Sequence, residues 1–214
     1  MLFPAQMQWS GPYMPVTFAC KFQSMKKIFI FLLVFIVLTA FIAADHDWKN
    51  DATHSRLGFT VTHLDISEVS GVFNDFDVTV NSTKPDFSDA VFELKAKVAS
   101  IDTRVEARDK HLKSADFFDA EKFPVMHFAS TVIQKAGKNK YKLTGALTLR
   151  GITKQVTMNL EYKGNAENPV NKKPTVGFQL TGSIRRSDFN IGNNFPASMI
   201  SDEVRIKADG EFVR

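Results

Sequence analysis

The sequence predicts an all-β domain of antiparallel strands with one short helix. Three observations carry this: apolar and polar residues alternate at a period of two through most of the chain after residue 44, the alternating runs are joined by short turn-rich links, and one stretch alone has helical spacing. Alternation at a period of two puts successive side chains on opposite faces of a strand. It is clearest from Ala90 to Val98, where Ala90, Phe92, Leu94, Ala96 and Val98 share one face and Glu93, Lys95 and Lys97 the other.

The same pattern runs through Leu57, Phe59, Val61 and His63, then through Phe76, Val78 and Val80. It returns in Tyr141, Leu143, Gly145, Leu147 and Leu149, in Val156, Met158, Leu160 and Tyr162, and in Val176, Phe178, Leu180 and Ile184. Val204, Ile206 and Ala208, extending toward Phe212, form the last run; with Val125 to Ile133 the count comes to about eight strands. The links Ala136-Gly137-Lys138-Asn139 and Arg150-Gly151-Ile152-Thr153, and the polar stretch from Gly164 to Pro174, carry turn residues. Many strands on short links, without alternating helices, favour an antiparallel barrel or sandwich over a parallel sheet. The helix is expected within Thr103 to Ala115, between the third and fourth strands. Thr103 and Glu106 read as a capping box, and Arg108 with Leu112, like His111 with Ala115, fall on common faces.

Residues 1–44 are read as a leader and 45–214 as one mature domain without internal repeats. Met25, Lys26 and Lys27 followed by the apolar run Ile28 to Ala44 have the layout of a secretory signal peptide, with cleavage expected after Ala43 or Ala44 and the true start at Met25. Asp45, His46 and Asp47 follow instead of a basic stop-transfer cluster, which fits a cleaved signal better than a membrane anchor. The expected location is the periplasm, or the medium where a cell has no outer membrane. The leader carries three of the 27 basic side chains and no acidic one, leaving 24 basic against 23 acidic residues. That balance gives no reason to expect nucleic acid or an anionic membrane as partner. Cys20, the one cysteine, leaves with the leader, which excludes a disulfide framework, a thiolate nucleophile and a zinc–thiolate site from the mature chain. Of the 20 phenylalanines, 13 lie after residue 44. In a small barrel such residues either fill the interior or leave part of it for a ligand.

Three segments carry a resemblance. The first is Asp51-Ala52-Thr53-His54-Ser55-Arg56-Leu57-Gly58-Phe59 with Val61-Thr62-His63-Leu64 and Val69-Ser70-Gly71-Val72-Phe73. The second is Ser100-Ile101-Asp102-Thr103, Arg108-Asp109-Lys110-His111-Leu112, Asp116-Phe117-Phe118-Asp119 and Phe123-Pro124. The third is Gly145-Ala146-Leu147-Thr148-Leu149-Arg150-Gly151-Ile152-Thr153-Lys154, with Arg186-Ser187-Asp188-Phe189 further on. In order and spacing these resemble the YceI-like family of bacterial periplasmic proteins across essentially the whole mature chain. The resemblance implies an eight-stranded antiparallel barrel of lipocalin-like shape, a helix in one connection, and a central apolar cavity for polyprenoid or other long-chain lipids. Two positions depart from the pattern: Asn190 stands where glycine is common and Ala146 where an acidic residue is usual. Both are expected near strand ends, where they bear on turn geometry.

Catalytic chemistry finds little support. His54-Ser55 and Asp109 with His111 are the tempting groupings, but neighbours on a strand face opposite ways, and neither a Gly-x-Ser-x-Gly elbow nor a phosphate loop occurs. Among His46, His54, His63, His111 and His127 no metal-binding spacing appears, though His63 and His127 remain free to meet across a barrel. The sequence thus points to a non-catalytic carrier with no cofactor and no metal. The residues expected to hold its ligand are Phe59, Val61, Phe73, Phe92, Leu94, Phe117, Phe118, Phe128, Leu147 and Phe189, with His63, Arg108, His111 and Leu112. Arg108, Asp109 and His111 have two readings, a polar network closing one barrel end or a contact for a ligand head group. A polyisoprenoid, a quinone tail and a fatty amide all suit such a site, because each buried methylene contributes about 0.8 kcal/mol whatever the chain. The alternative function is a stress-induced interaction module with a self-filled core. A homodimer through a strand edge or barrel end is compatible with either.

Overall fold

Ten strand segments build eight staves of a closed antiparallel barrel in the computed structural model, which describes residues 47–214 and Gly11. The expected leader and start site lie outside the described residues. The segments are β1 (Asp47–His63), β2 (Ser67–Phe73), β3 (Phe76–Asn81), β4 (Val91–Lys97), β5 (Ile101–Asp102), β6 (Val125–Gly137), β7 (Lys140–Leu149), β8 (Ile152–Glu167), β9 (Pro174–Arg185) and β10 (Glu203–Val213). β2 and β3 act as one bent stave, since β1 pairs with β3 through Asp47–Lys49 and with β2 through Leu57–His63. β4 and β5 form another, β4 pairing with β3 and β5 with β2. Pairing of β1 with β10 closes the ring, from Lys49↔Val213 to Thr60↔Arg205. Closure satisfies the edge amides that an open sheet exposes. At the end of the ladder stands only the two-residue β5, which offers little edge for pairing with a second copy.

The expected faces hold where one side of a strand is wet. Along β7, Tyr141, Leu143, Gly145, Leu147 and Leu149 are all buried, while the residues between them are half-buried or exposed. The β7–β8 hairpin turns on Arg150 (φ 49°) and Gly151 (φ 74°), the two left-handed residues of a tight turn that follows the strands' own twist. Three strands run further than their periodicity suggests. β1 begins at Asp47, but a bulge between Asn50 and Ser55 breaks its alternation. β8 and β9 pair on through Gly164↔Gly177 to Glu167↔Pro174, into the polar stretch expected to be a loop; there Asn165, Ala166 and Glu167 of β8 are exposed, while Thr175 and Val176 of β9 stay buried.

The helix is shorter than expected: α1 spans Glu106–Lys113, so Ala115 lies beyond it and shares no helical face with His111. Its N-cap is Val105, not Thr103, and Thr103 makes no capping box with Glu106. Arg104 takes a left-handed turn (φ 65°) between them, and the Thr103 N–H and hydroxyl donate instead to Asp109 at 2.8 and 2.5 Å. Of the two departures from the family pattern, Asn190 does sit at a turn, in the left-handed conformation (φ 55°) that asparagine tolerates better than most side chains. Ala146 instead lies within β7, paired with Ala129 and Gln155, three residues before the strand ends.

Candidate functional site

Inward-facing side chains leave a cavity of about 450 Å³ inside the barrel, within the range of small-molecule sites. Its walls are apolar. Phe59 and Val61 come from β1, Phe73 from β2, Leu94 from β4, Phe128 from β6 and Leu147 from β7, each on the inner face of its strand.

The floor is made of rings. Phe178 on β9 lies 5.0 Å from Phe87, 5.4 Å from Phe92, 5.5 Å from Tyr162 and 5.6 Å from Phe212, while Trp48 meets Phe87 at 5.9 Å. Most of these contacts are edge-to-face, the arrangement in which a positive ring edge meets a negative face. The Tyr141 hydroxyl donates to the Asp86 carbonyl and ties the β3–β4 link over this floor.

The opposite end is closed by α1 and the connections 114–124 and 186–202. Phe117 and Phe195, one from each connection, stack at 5.0 Å, and His111 meets them edge-on at 5.0 and 5.7 Å. Gly192 makes the first of these placements possible: it is left-handed (φ 61°), and a Cβ there would lie 2.7 Å from the Phe117 ring. Arg186 organises the second connection. It is 6% exposed, and its guanidinium donates to five backbone carbonyls: Ser201 from Nε, Ile191 and Gly192 from Nη1, Phe195 and Ile200 from Nη2, at 2.6–3.2 Å. Five donors meet five acceptors, so none is stranded in the interior. Arg150 joins the two connections, donating to Ala115 O at 2.8 Å and to Asn190 O. Asp202 clasps the loop's two ends by accepting from the Ser187 N–H at 3.0 Å and its hydroxyl at 2.9 Å. Burial pushes that carboxyl up, but the Ser187 bonds and the nearby arginines outweigh it and hold Asp202 below the usual range.

All the expected site residues reach the cavity wall except Phe189, including His63, Arg108, His111, Leu112 and Phe118 at the helix end. Phe189 ends a single 3₁₀ turn (Ser187–Phe189) and is buried in the core beneath the loop. Sequence reasoning missed Phe195, Met199 and Ile200, which line the cavity from an irregular loop without periodicity, and Val156, Leu180 and Ile206, whose alternation marked them as inward-facing.

The two tempting catalytic groupings are engaged elsewhere. His54 Nδ1 meets Asp51 Oδ2 at 2.9 Å within the exposed β1 bulge, while the Ser55 hydroxyl donates to the Glu211 carbonyl. Asp109 serves Thr103, and His111 pairs with Asp116 at 3.1 Å. Hydrogen bonds from His54 and Thr53 bring Asp51 down to about 2, and Asp51 in turn raises His54. His63 and His127 do not converge. His63 faces the cavity, whereas His127 lies between the inward Met126 and Phe128 and bonds Glu93 on the outer surface at 3.1 Å. Among the described residues there is no group of three or more His, Cys, Asp or Glu placed to hold a metal, and no helix is long and apolar enough to cross a membrane.

Comparison with known proteins agrees with this architecture. The model of the YceI-like domain matches residues 48–212. A UPF0312 protein of Photorhabdus laumondii is 38% identical over 150 residues, covering 70% of this chain and 77% of its own. The crystal structure of BcnA from Burkholderia cenocepacia, 28% identical, superposes with a TM-score of 0.69 over 76% of this chain and 98% of its own. A domain of Saccharophagus degradans described as polyisoprenoid binding shares the fold at a TM-score of 0.60 and 12% identity, over 78% of this chain and 98% of its own.

Proposed function

The chain belongs to the YceI-like family, and from that premise we propose that it is a non-catalytic carrier that holds a long apolar molecule inside its barrel. The observation that carries this reading is the cavity: about 450 Å³ of apolar space between a ring-packed floor and a looped lid, in a protein of this size, is room that ordinary core packing fills. A self-filled interaction module needs no such space. Chain length dominates the energetics, since burying two or three five-carbon units contributes on the order of 8–12 kcal/mol before ordering costs. A polyisoprenoid, a quinone tail and a fatty amide are therefore all eligible.

The signal-like leader supports placing this carrier in the periplasm, where a water-insoluble chain must cross an aqueous space. Native mass spectrometry of the protein purified from its own cells, followed by solvent extraction, tests the reading. A stoichiometric long-chain species is expected; an empty protein that also ignores added polyprenoid overturns it. The same spectra report the mature N-terminus, expected at residue 44 or 45.

A further inference from the structure

Three arginines line the cavity, and they differ in what they have left to give; Arg56, on β1, is exposed, so water serves its charge. Arg186 has none of its five donors free. Arg108, on α1 at the helix end, is held by one residue: its Nε donates to the Thr103 hydroxyl and its Nη2 to the Thr103 carbonyl, both at 2.7 Å. Thr103 is itself buried and its hydroxyl donates a hydrogen bond to Asp109, so the nearest acidic side chain in sequence is occupied through the threonine. Among the described residues no ion pair joins Arg108 to a carboxylate, and no acceptor bonds its Nη1.

The geometry of that grip matters. A guanidinium has five N–H groups in a rigid plane, and Thr103 occupies the side made by Nε and one N–H of Nη2. The other side is the pair of parallel N–H groups on Nη1 and Nη2, the fork that matches the two oxygens of a carboxylate or phosphate. An arginine cannot shed its charge to suit apolar surroundings, so an unpaired one on a cavity wall favours a ligand that brings an anion. Leu112 and Phe118 flank the cavity at the same end and suit the first carbons of a chain.

We propose that the free fork of Arg108 is an anion receptor, so that the cargo is an anionic amphiphile whose carboxylate or phosphate group binds Arg108 while its chain descends toward the aromatic floor. This rests on the carrier reading and sharpens it, because a neutral head group gains far less from a fixed cation. Thr103 is the positioning residue, holding the guanidinium with its fork toward the cavity.

The test uses the full chain, stripped of bound lipid by solvent exchange, and three probes with one chain: hexadecanoate, hexadecyl phosphate and hexadecan-1-ol, measured by native mass spectrometry and calorimetry. At least one anionic probe is expected to bind ten-fold or more tighter than the alcohol, a ratio typical of charge-assisted hydrogen bonds, and whichever anion gains more names the head group. Arg108→Met should collapse that ratio toward one, and Arg108→Lys, a point charge without a fork, should restore only part of it. Because the readout is a ratio within each variant, a general loss of affinity does not mimic the effect. Equal binding of acid, phosphate and alcohol by the native chain, or a preference that survives Arg108→Met, overturns the proposal and leaves the carrier reading standing. Failure of all three probes to bind overturns both.

Discussion

At the floor of the barrel, Phe87, Phe92, Phe178, Tyr162, Phe212 and Trp48 close the interior by ring contact, whereas at the lid a loop of irregular backbone is held mainly by hydrogen bonds, from Arg186, from Arg150 and to Asp202, with a stacked pair of rings beside them. Ring packing is cooperative with the whole fold, because most of those rings sit on staves that also make the barrel. Hydrogen bonds from Arg186 hold only its own connection. The floor should therefore fail with the fold, and the lid apart from it. Such a division would suit the proposed carrier, which needs one end stable enough to hold and one able to admit its ligand.

The sharpest way to break this comparison is to cut each end separately. Phe178→Ala removes the ring at the centre of the floor and should cost about 3–5 kcal/mol of global stability, read from a urea midpoint. Arg186→Met strands five carbonyls, two of them buried and three part-buried; it should cost about 2–3 kcal/mol, with the loss concentrated in residues 187–202, where hydrogen exchange and limited proteolysis will find it first. If Arg186→Met instead lowers the urea midpoint as far as Phe178→Ala while the loop stays protected, the lid is not a separate unit. A smaller effect is expected from Phe117→Ala, which removes one partner of the stacked pair. It should speed release of a bound fluorescent probe such as N-phenyl-1-naphthylamine about two- to ten-fold, the worth of one ring contact, with little change in the urea midpoint. No change in release would mean that the probe leaves by another route.

The smallest effect lies outside both ends, in the exposed bulge of β1. Asp51 is lowered from 3.8 to about 2 by hydrogen bonds from His54 and Thr53, and His54 is raised above 6.5 by Asp51. The two shifts bound one window. Asp51's contribution is complete above 3.8 and is lost as pH falls toward 2; that of His54 is complete below 6.5 and is lost as pH rises through its raised folded value. A proton titration of His54 by NMR should have its midpoint above 6.5, returning toward that value in Asp51→Asn. A midpoint indifferent to Asp51→Asn would remove the pair as the cause.

The walls of the site and the helix side of its lid were legible in sequence, and the loop at 186–202 was not, for a physical reason. Phe59, Phe92, Leu94 and Leu147 belong to strands with one wet face, so water imprints the inner face on the sequence as alternation. Phe195 and Met199 are placed by Arg186, Gly192 and the loop's own turns, a set of contacts with no period to read. Phe189 shows the converse error: its apolar character was legible, but the turn that sends it into the core instead of the cavity was not. At Thr103 the capping pattern was present, yet one left-handed residue, Arg104, diverted the side chain to Asp109. That diversion is what leaves Arg108 oriented.

The pairing of β1 with β10 also sets Lys49 beside Val213, so the start and end of the described barrel lie together at its floor. A few residues of linker would join them into a circle, and the β8–β9 hairpin, whose tip at residues 169–173 is exposed on the same side, is a natural place to open new ends. A circular permutant cut there would keep every stave and leave the lid untouched. Likewise, immobilising the protein through Arg214 on a bead or sensor surface would point the lid outward into solution.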